Sequence, residues 1–275
     1  MTKQRMINEQ IPGKQRLTIR VGKSTLSFAM SDMGGNGQPI AYEPYVIKSG
    51  ISMAANLRSA FKTVELLSGS PVRVFVMIDT PALMVPVEQF EEPEAEPLYQ
   101  ATLIQDQPLS ITYNVLPDLN AVAVFGINKD LRLVITDHFP QARFIHVMEP
   151  VWRHLYRRSF TGHHEKLYAY FHDGQADIFA FQQSRFRFCN AYETAHARDA
   201  VYFLLNVWKT LQLDAEADEL HLVGDIPDRE WLVEELHRYL HKAYVINPVA
   251  EFNRAPATQL KDIPFDFMTL LIKGR

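Results

Sequence analysis

The chain has 275 residues, 47% hydrophobic and 22% charged, with a formal net charge of -4. That length suffices for a large core in one or two domains, and the acidic balance argues against nucleic-acid binding through a basic surface. The single cysteine, Cys189, excludes an internal disulfide and a cysteine-cluster metal site, and fits a reducing, cytoplasmic compartment.

Met1 to Leu17 carries Lys3, Arg5, Glu9 and Lys14 with no apolar stretch, so no signal peptide is expected. No window approaches ~20 apolar residues, so no direct membrane insertion is expected either. From Arg16 to Gly22, Leu17, Ile19 and Val21 alternate with Thr18 and Arg20, the period of a strand. After Gly22-Lys23-Ser24 the alternation resumes at Leu26, Phe28 and Met30, which predicts a hairpin with Gly22 in its turn. Gly34, Gly35, Asn36 and Gly37 make a second turn, and Pro39 to Lys48 reads as a third strand. Met53, Leu57, Phe61, Val64 and Leu67 form a helical stripe, stopped by Gly69-Ser70-Pro71. Val72 to Ile78 is then an inner strand.

Val87 to Pro97, with five glutamates and two prolines, is a solvated connection leading towards a short helix. Ala121 to Phe125 reads as a strand, and Asn128 caps a helix bearing Leu131, Val134, Ile135 and His138. A strand at Phe144 to Val147 and a helix at Pro150 to Arg157 come next, and Thr161-Gly162-His163-His164 marks a domain boundary.

Beyond it the first order recurs. Lys166 to His172 is a strand, Asp173-Gly174 a hairpin turn, Ala176 to Gln182 the return strand and Arg185 to Ala191 a third. A helix buries Val201, Leu204, Leu205, Trp208 and Leu211, and Glu219 to Val223 is an inner strand closed by Gly224. Two strand-strand-strand-helix-strand units so far apart indicate duplicated domains, because solenoid periods are only ~20–50 residues. A last helix, Asp228 to His241, is capped by Asp228 and buries Leu232, Leu236, Tyr239 and Leu240. Its His237 and His241 then face water, and with no HExxH pattern they are not taken as metal ligands. His163-His164-Glu165 reads as solvated linker, and Cys189 as a structural thiol rather than a nucleophile. No serine lies in a G-x-S-x-G elbow.

The doubled unit resembles the actin-like ATPase superfamily, which includes sugar kinases and heat-shock chaperones. Val74 to Phe90 (VFVMIDTPALMVPVEQF) resembles a segment of the pilus-assembly PilM group and its secretion-system relatives, and Ala121 to Pro150 matches the module that comes after it there. As a whole the chain resembles a bacterial family of unknown role with an actin-like ATPase fold.

The resemblance implies an α/β fold with mixed sheets: two duplicated actin-like (ribonuclease H-like) domains with a cleft between them. The first would span 1–160, with an inserted subdomain at about 81–150, and the second 161–275. It further implies ATP with Mg²⁺ in the cleft, held by two glycine hairpins that each carry an aspartate. Gly22, Lys23 and Ser24 fall in the first hairpin, Asp173 and Gly174 in the second, and Gly224 and Asp225 where the adenosine strand ends.

The first-hairpin aspartate is replaced by Arg20, and the second-hairpin position falls on His172, with Asp173 adjacent. Without two such carboxylates Mg²⁺ and the attacking water lose their anchors, so hydrolysis is expected to be absent or slow, any nucleotide binding weak, and no catalytic residue is assigned. As residues alone, Gly22-Lys23-Ser24 reads first as an ordinary hairpin turn and second as a residual phosphate contact; a P-loop would need glycine at Leu17. Asp79 and Asp225 end inner strands, where they could face a cleft or simply cap the next element.

Two functions are compatible with these residues. One is a silent cytosolic scaffold that docks a protein or peptide partner, as PilM-like proteins do. The other is an active ATPase or small-molecule phosphotransferase using Asp173, Asp225 or Asp79.

Overall fold

The computed structural model describes residues 15–32, 40–69, 71–104 and 106–274. The expected turn at Gly34 to Gly37 lies outside them, as does most of Met1 to Leu17.

Three strands open the chain: β1 (Gln15–Val21), β2 (Leu26–Asp32) and β3 (Ala41–Tyr45). Helix α1 (Met53–Thr63) is next, and Ser52 caps it by accepting a 3.2 Å hydrogen bond from the Ala55 amide. β4 (Arg73–Ile78) leads into β5 (Ala82–Pro86), α2 (Ala95–Thr102), β6 (Leu109–Leu116) and β7 (Ala121–Asn128). After α3 (Lys129–His138) come β8 (Arg143–His146) and α4 (Glu149–Ser159). Asn128 caps α3 as expected, its Oδ1 accepting from the Leu131 amide at 3.0 Å.

The second half runs β9 (Lys166–His172), β10 (Gln175–Gln182), β11 (Arg185–Glu193) and α5 (Ala197–Thr210). It continues through β12 (Glu219–Gly224), α6 (Arg229–Leu236), β13 (Ala243–Val245), α7 (Pro248–Glu251) and α8 (Phe265–Lys273).

The sheets repeat one plan. The first has the order β3-β2-β1-β4-β8 and the second β11-β10-β9-β12-β13. In each, the hairpin strands pair antiparallel and the last two strands run parallel to the first. Between β4 and α3 the first half carries a separate antiparallel sheet, β5-β7-β6, packed on α2 through Val85, Tyr99, Val122 and Val124.

The core forms layers. α1 and α3 cover the outer face of the first sheet through Leu57, Ala60, Leu131 and Ile135. α5 and α6 cover the outer face of the second through Leu204, Trp208, Leu232 and Leu236. Between the sheets lie α4 and α8, which pack on each other and bury Trp152, Leu155, Phe265 and Phe267 among residues of both halves. Each comes after the last strand, in chain order, of its half's five-stranded sheet, so the helices at the shared layer occupy matching places.

This layer changes the reading of β1. Alternation suggests a wet face at Thr18 and Arg20, yet these are 0% and 1% exposed because the second half covers them. Three other expectations need correction. The helix expected at Asp228 to His241 ends at Leu236, and Tyr239 is 56% exposed because it lies past the helix in a turn. Asp228 holds the cap position, but with φ +41° its side chain makes no capping bond. The third strand is shorter than Pro39 to Lys48, covering Ala41–Tyr45.

Candidate functional site

Both predicted hairpins form, and they meet. Asp173 and Gly174 have φ of +46° and +75°, the two left-handed positions of a tight two-residue turn, with His172 paired to Gln175. In the first hairpin Val21 pairs with Leu26, and the Gly22 amide donates to the Thr25 carbonyl at 2.8 Å. A Cβ on Gly22 would stand 2.2 Å from Thr25 Oγ1 and 2.5 Å from Asp173 Oδ2, so glycine is what lets the hairpins touch. Thr25 Oγ1 donates to Asp173 Oδ1 at 2.8 Å.

Arg20 lies at the centre of this meeting. Its Nε donates to Asp266 Oδ1 and Oδ2 at 2.9 and 3.0 Å, and its Nη2 to Asp266 Oδ2 at 2.8 Å. Its Nη1 and Nη2 also reach Asp173 Oδ2 at 3.2 and 3.1 Å. Tyr170 donates its hydroxyl to Asp266 Oδ2 at 2.8 Å. One guanidinium from β1 thus holds the β9–β10 turn and α8 together. Burial works against the Asp173 carboxylate, but His172, Arg20 and Thr25 outweigh it and hold its pKa well below the ordinary range.

Beside this cation sits His172, 3% exposed. Its Nε2 is 2.7 Å from Asp177 Oδ2, while Nδ1 lies 3.4 Å from Asp79 Oδ2 and 3.6 Å from Asp173 Oδ2. Burial alone would depress its pKa, yet the three carboxylates hold it well above the ordinary value and favour the charged ring. Gln175 donates to Asp79 Oδ1 at 3.1 Å and fixes the other end of that carboxylate.

Of the positions that the sequence singled out, the fold therefore gathers the charged groups Arg20, His172 and Asp173, with Gly22 packed against them and Gly174 beside Asp173 in its turn. Asp79 joins them from the end of β4, its backbone amide on the Val21 carbonyl at 3.0 Å. Asp79, His172 and Asp173 offer atoms within 4.8 Å of one another, a spacing that could hold a metal ion, although no metal ligand is assigned from sequence. Lys23 and Ser24 stand exposed at the hairpin tip. Gly224 and Asp225 line a hollow of about 290 Å³ with Tyr170, Phe265 and Met268; Asp225 is outside the close trio, yet burial and then Asp173 raise its pKa, so it borders the charged group. Gly224 has φ +97°, and a Cβ there would be 2.1 Å from the Phe171 carbonyl.

These residues do not fit the Mg²⁺ and ATP phosphates that the resemblance implies. Arg20 puts a positive charge in the first hairpin's acidic position, and both Asp173 oxygens already accept hydrogen bonds. The Asp79 carboxylate faces the His172 ring, Nδ1 3.4 Å away, instead of open space. No step of hydrolysis can be derived through these groups. Sequence reading misses Asp266, Tyr170 and Gln175; only Pro264 with the apolar Phe265 and Phe267 after it hints at the helix that carries Asp266.

The family described as "Protein of unknown function (DUF3822)" matches residues 4–243. A crystal structure from Bacteroides thetaiotaomicron, of a protein with an actin-like ATPase fold and unknown function, superposes with a TM-score of 0.81 at 29% identity. The match covers 88% of this chain and 95% of that one. PilM from a PilM–PilN type IV pilus biogenesis complex gives a TM-score of 0.57 at 13% identity over 94% and 97% of the two chains, a likeness of fold. No curated protein sequence matches the chain. The fold is thus the actin-like ATPase fold, as the resemblance implies. No helix among the described residues is long and apolar enough to cross a membrane.

Proposed function

This chain belongs to the DUF3822 family and carries an actin-like ATPase fold, and on that footing we propose that it is a catalytically silent or very slow interaction scaffold. We infer a cytoplasmic protein whose two domains, 1–160 and 161–275, present a surface to a protein partner.

The single observation that carries this reading is the Arg20 clamp. Catalysis by this architecture requires carboxylates free to order a metal and water between two hairpins. Here a buried guanidinium bridges Asp173 and Asp266 instead, at 3.1 and 2.8 Å. An ion pair so placed supports a fixed angle between the halves rather than a site that opens for substrate. The PilM relative was solved in a complex with PilN, which supports a partner-binding role for the fold. Weak nucleotide binding around Gly22, Lys23, Ser24, Asp173, Gly174, Gly224 and Asp225 belongs to this reading, the nucleoside taking the hollow beside Gly224.

Two measurements test it. Phosphate release from ATP with Mg²⁺ is expected at the rate of a buffer blank, and calorimetric titration should show weak binding at most. Robust turnover that Asp173→Asn abolishes would overturn silence.

The convergence of Asp79 and Asp173 favours a second reading, an ATPase or phosphotransferase with non-standard carboxylates. It requires His172 to leave their midst and Arg20 to release Asp173. Asp225, expected to contribute, is not a member of the group.

A further inference from the structure

At the opposite end of β4 from Asp79 the surface changes character. Two hollows of about 730 and 270 Å³ open there and share Arg73, Phe75 and Arg143, so they form one elongated groove. The smaller is also lined by Arg153, Arg157 and Lys273, the larger by Val72, 63% exposed.

The charges here are unbalanced. The guanidinium carbons of Arg16 and Arg143 lie 5.5 and 5.8 Å from the Phe75 ring centre, a cation–π pair on one ring. Arg16, Arg73, Arg143 and Lys273 have no ion-pair partner within 4 Å among the described residues; buried Arg16 donates to the Gly274 carbonyl, and Glu149, which lines the smaller hollow, is the one carboxylate that acts on Arg143 as well as Arg153. Arg153 has Glu149 at 3.5 Å, and Arg157 has the exposed Asp118 at 3.6 Å. Burial and the repulsion of Arg73 both lower the pKa of Arg16, so these cations destabilise one another. Such a concentration in a chain of net charge -4 stands against the overall balance. Its cost is offset once an anion arrives, and guanidinium groups favour carboxylates because two N–H donors match two oxygens.

We propose that this groove, at the start of β4 and β8, docks an extended acidic peptide segment of a protein partner. Shape favours a peptide over a nucleic-acid backbone or a lipid surface. The groove is concave, and Phe75, Ile145, Pro150 and Leu270 share its lining with the cations, so carboxylates and apolar side chains both find partners there. The proposal rests on the scaffold reading for its purpose, since it names the partner chemistry, but binding here is independent of the cleft.

The test is fluorescence anisotropy of the full chain with a fluorescein-labelled dodecapeptide of alternating glutamate and leucine. Binding should weaken about tenfold or more in Arg73→Glu/Arg143→Glu, and should fall as salt rises from about 50 to 300 mM. Both arginines are exposed, so the fold should survive, with circular dichroism as the check; Lys273→Glu gives a second, independent loss. Lys209→Ala, exposed on α5 of the second half and away from the groove, should bind as wild type. The idea is overturned if the double variant binds equally well, if the wild type shows no binding at low salt, or if a lysine–leucine peptide competes as strongly. Preference for single-stranded RNA or phosphatidylserine vesicles over the acidic peptide would also overturn it. ATP turnover by the chain would sink silence and leave groove binding intact.

Discussion

Arg20 on β1 and Asp266 on α8, 246 residues apart, meet through a two-pronged ion pair at 2.8 to 3.0 Å with neither side chain more than 2% exposed. Asp173 adds a second carboxylate to the same guanidinium at 3.1 Å. Removing one partner of such a pair is strongly destabilising because the other stays buried and charged.

Arg20→Ala is therefore expected to cost about 3–5 kcal/mol, as it strands two carboxylates in the shared layer. Urea unfolding should show the loss as a lower midpoint with little change in slope. A loss below about 1 kcal/mol, the range of an exposed pair, would mean water already screens this contact.

The two ionised groups beside Arg20 set opposite pH limits. His172 has a raised pKa when folded, so its stabilisation is complete below about 6.5 and fades as pH rises through the folded value. Asp173 has a depressed pKa, so its contribution is complete above about 3.9 and fades as pH falls. From these groups stability should plateau between about pH 4 and 6.5 and decline on both sides. His172→Gln should flatten the alkaline decline, which urea midpoints at pH 6 and 9 would reveal, and soften the acid one as well, because His172 is the first of the groups that depress Asp173.

Two glycines with positive φ separate strain from crowding. Gly174 at φ +75° has open space where a Cβ would stand, so Gly174→Ala incurs chiefly the left-handed backbone cost of about 1–2 kcal/mol. Gly224 at φ +97° would drive its Cβ to 2.1 Å from the Phe171 carbonyl and 2.8 Å from the Tyr170 ring. Gly224→Ala should therefore destabilise more than Gly174→Ala, and equal melting temperatures would contradict the close packing at this strand end.

Cys189 on β11 is half-buried, with burial and then Asp177 raising its thiol pKa well above the ordinary value. Native protein should react with Ellman's reagent far more slowly at pH 8 than the urea-unfolded chain. Equal rates would remove the structural-thiol reading.

Local pattern was enough for much of the architecture. Alternation around Gly22 and around Asp173-Gly174 specifies both hairpins, because turn chemistry and strand period act over a few residues. The same holds for Asn128 before α3 and the apolar stripe of α5. β6 escaped notice because its face is only partly buried and its residues mix polar with apolar. Arg20 could be seen to replace a carboxylate, and Asp173 to stand beside the expected position, from the sequence alone.

Their partnership could not. The side chains of Asp266, Tyr170 and Asp79 lie 93 to 246 positions from the groups they meet, and no periodicity links such distances. Packing of α4 against α8 brings the two sheets together and turns Arg20 from an apparent surface residue into a buried clamp. Hydrophobic period and turn propensity are properties of neighbouring residues, so the sequence determines the repeated unit. The charge pairing across the cleft depends on how the two units stack, and only burial of their common layer decides that.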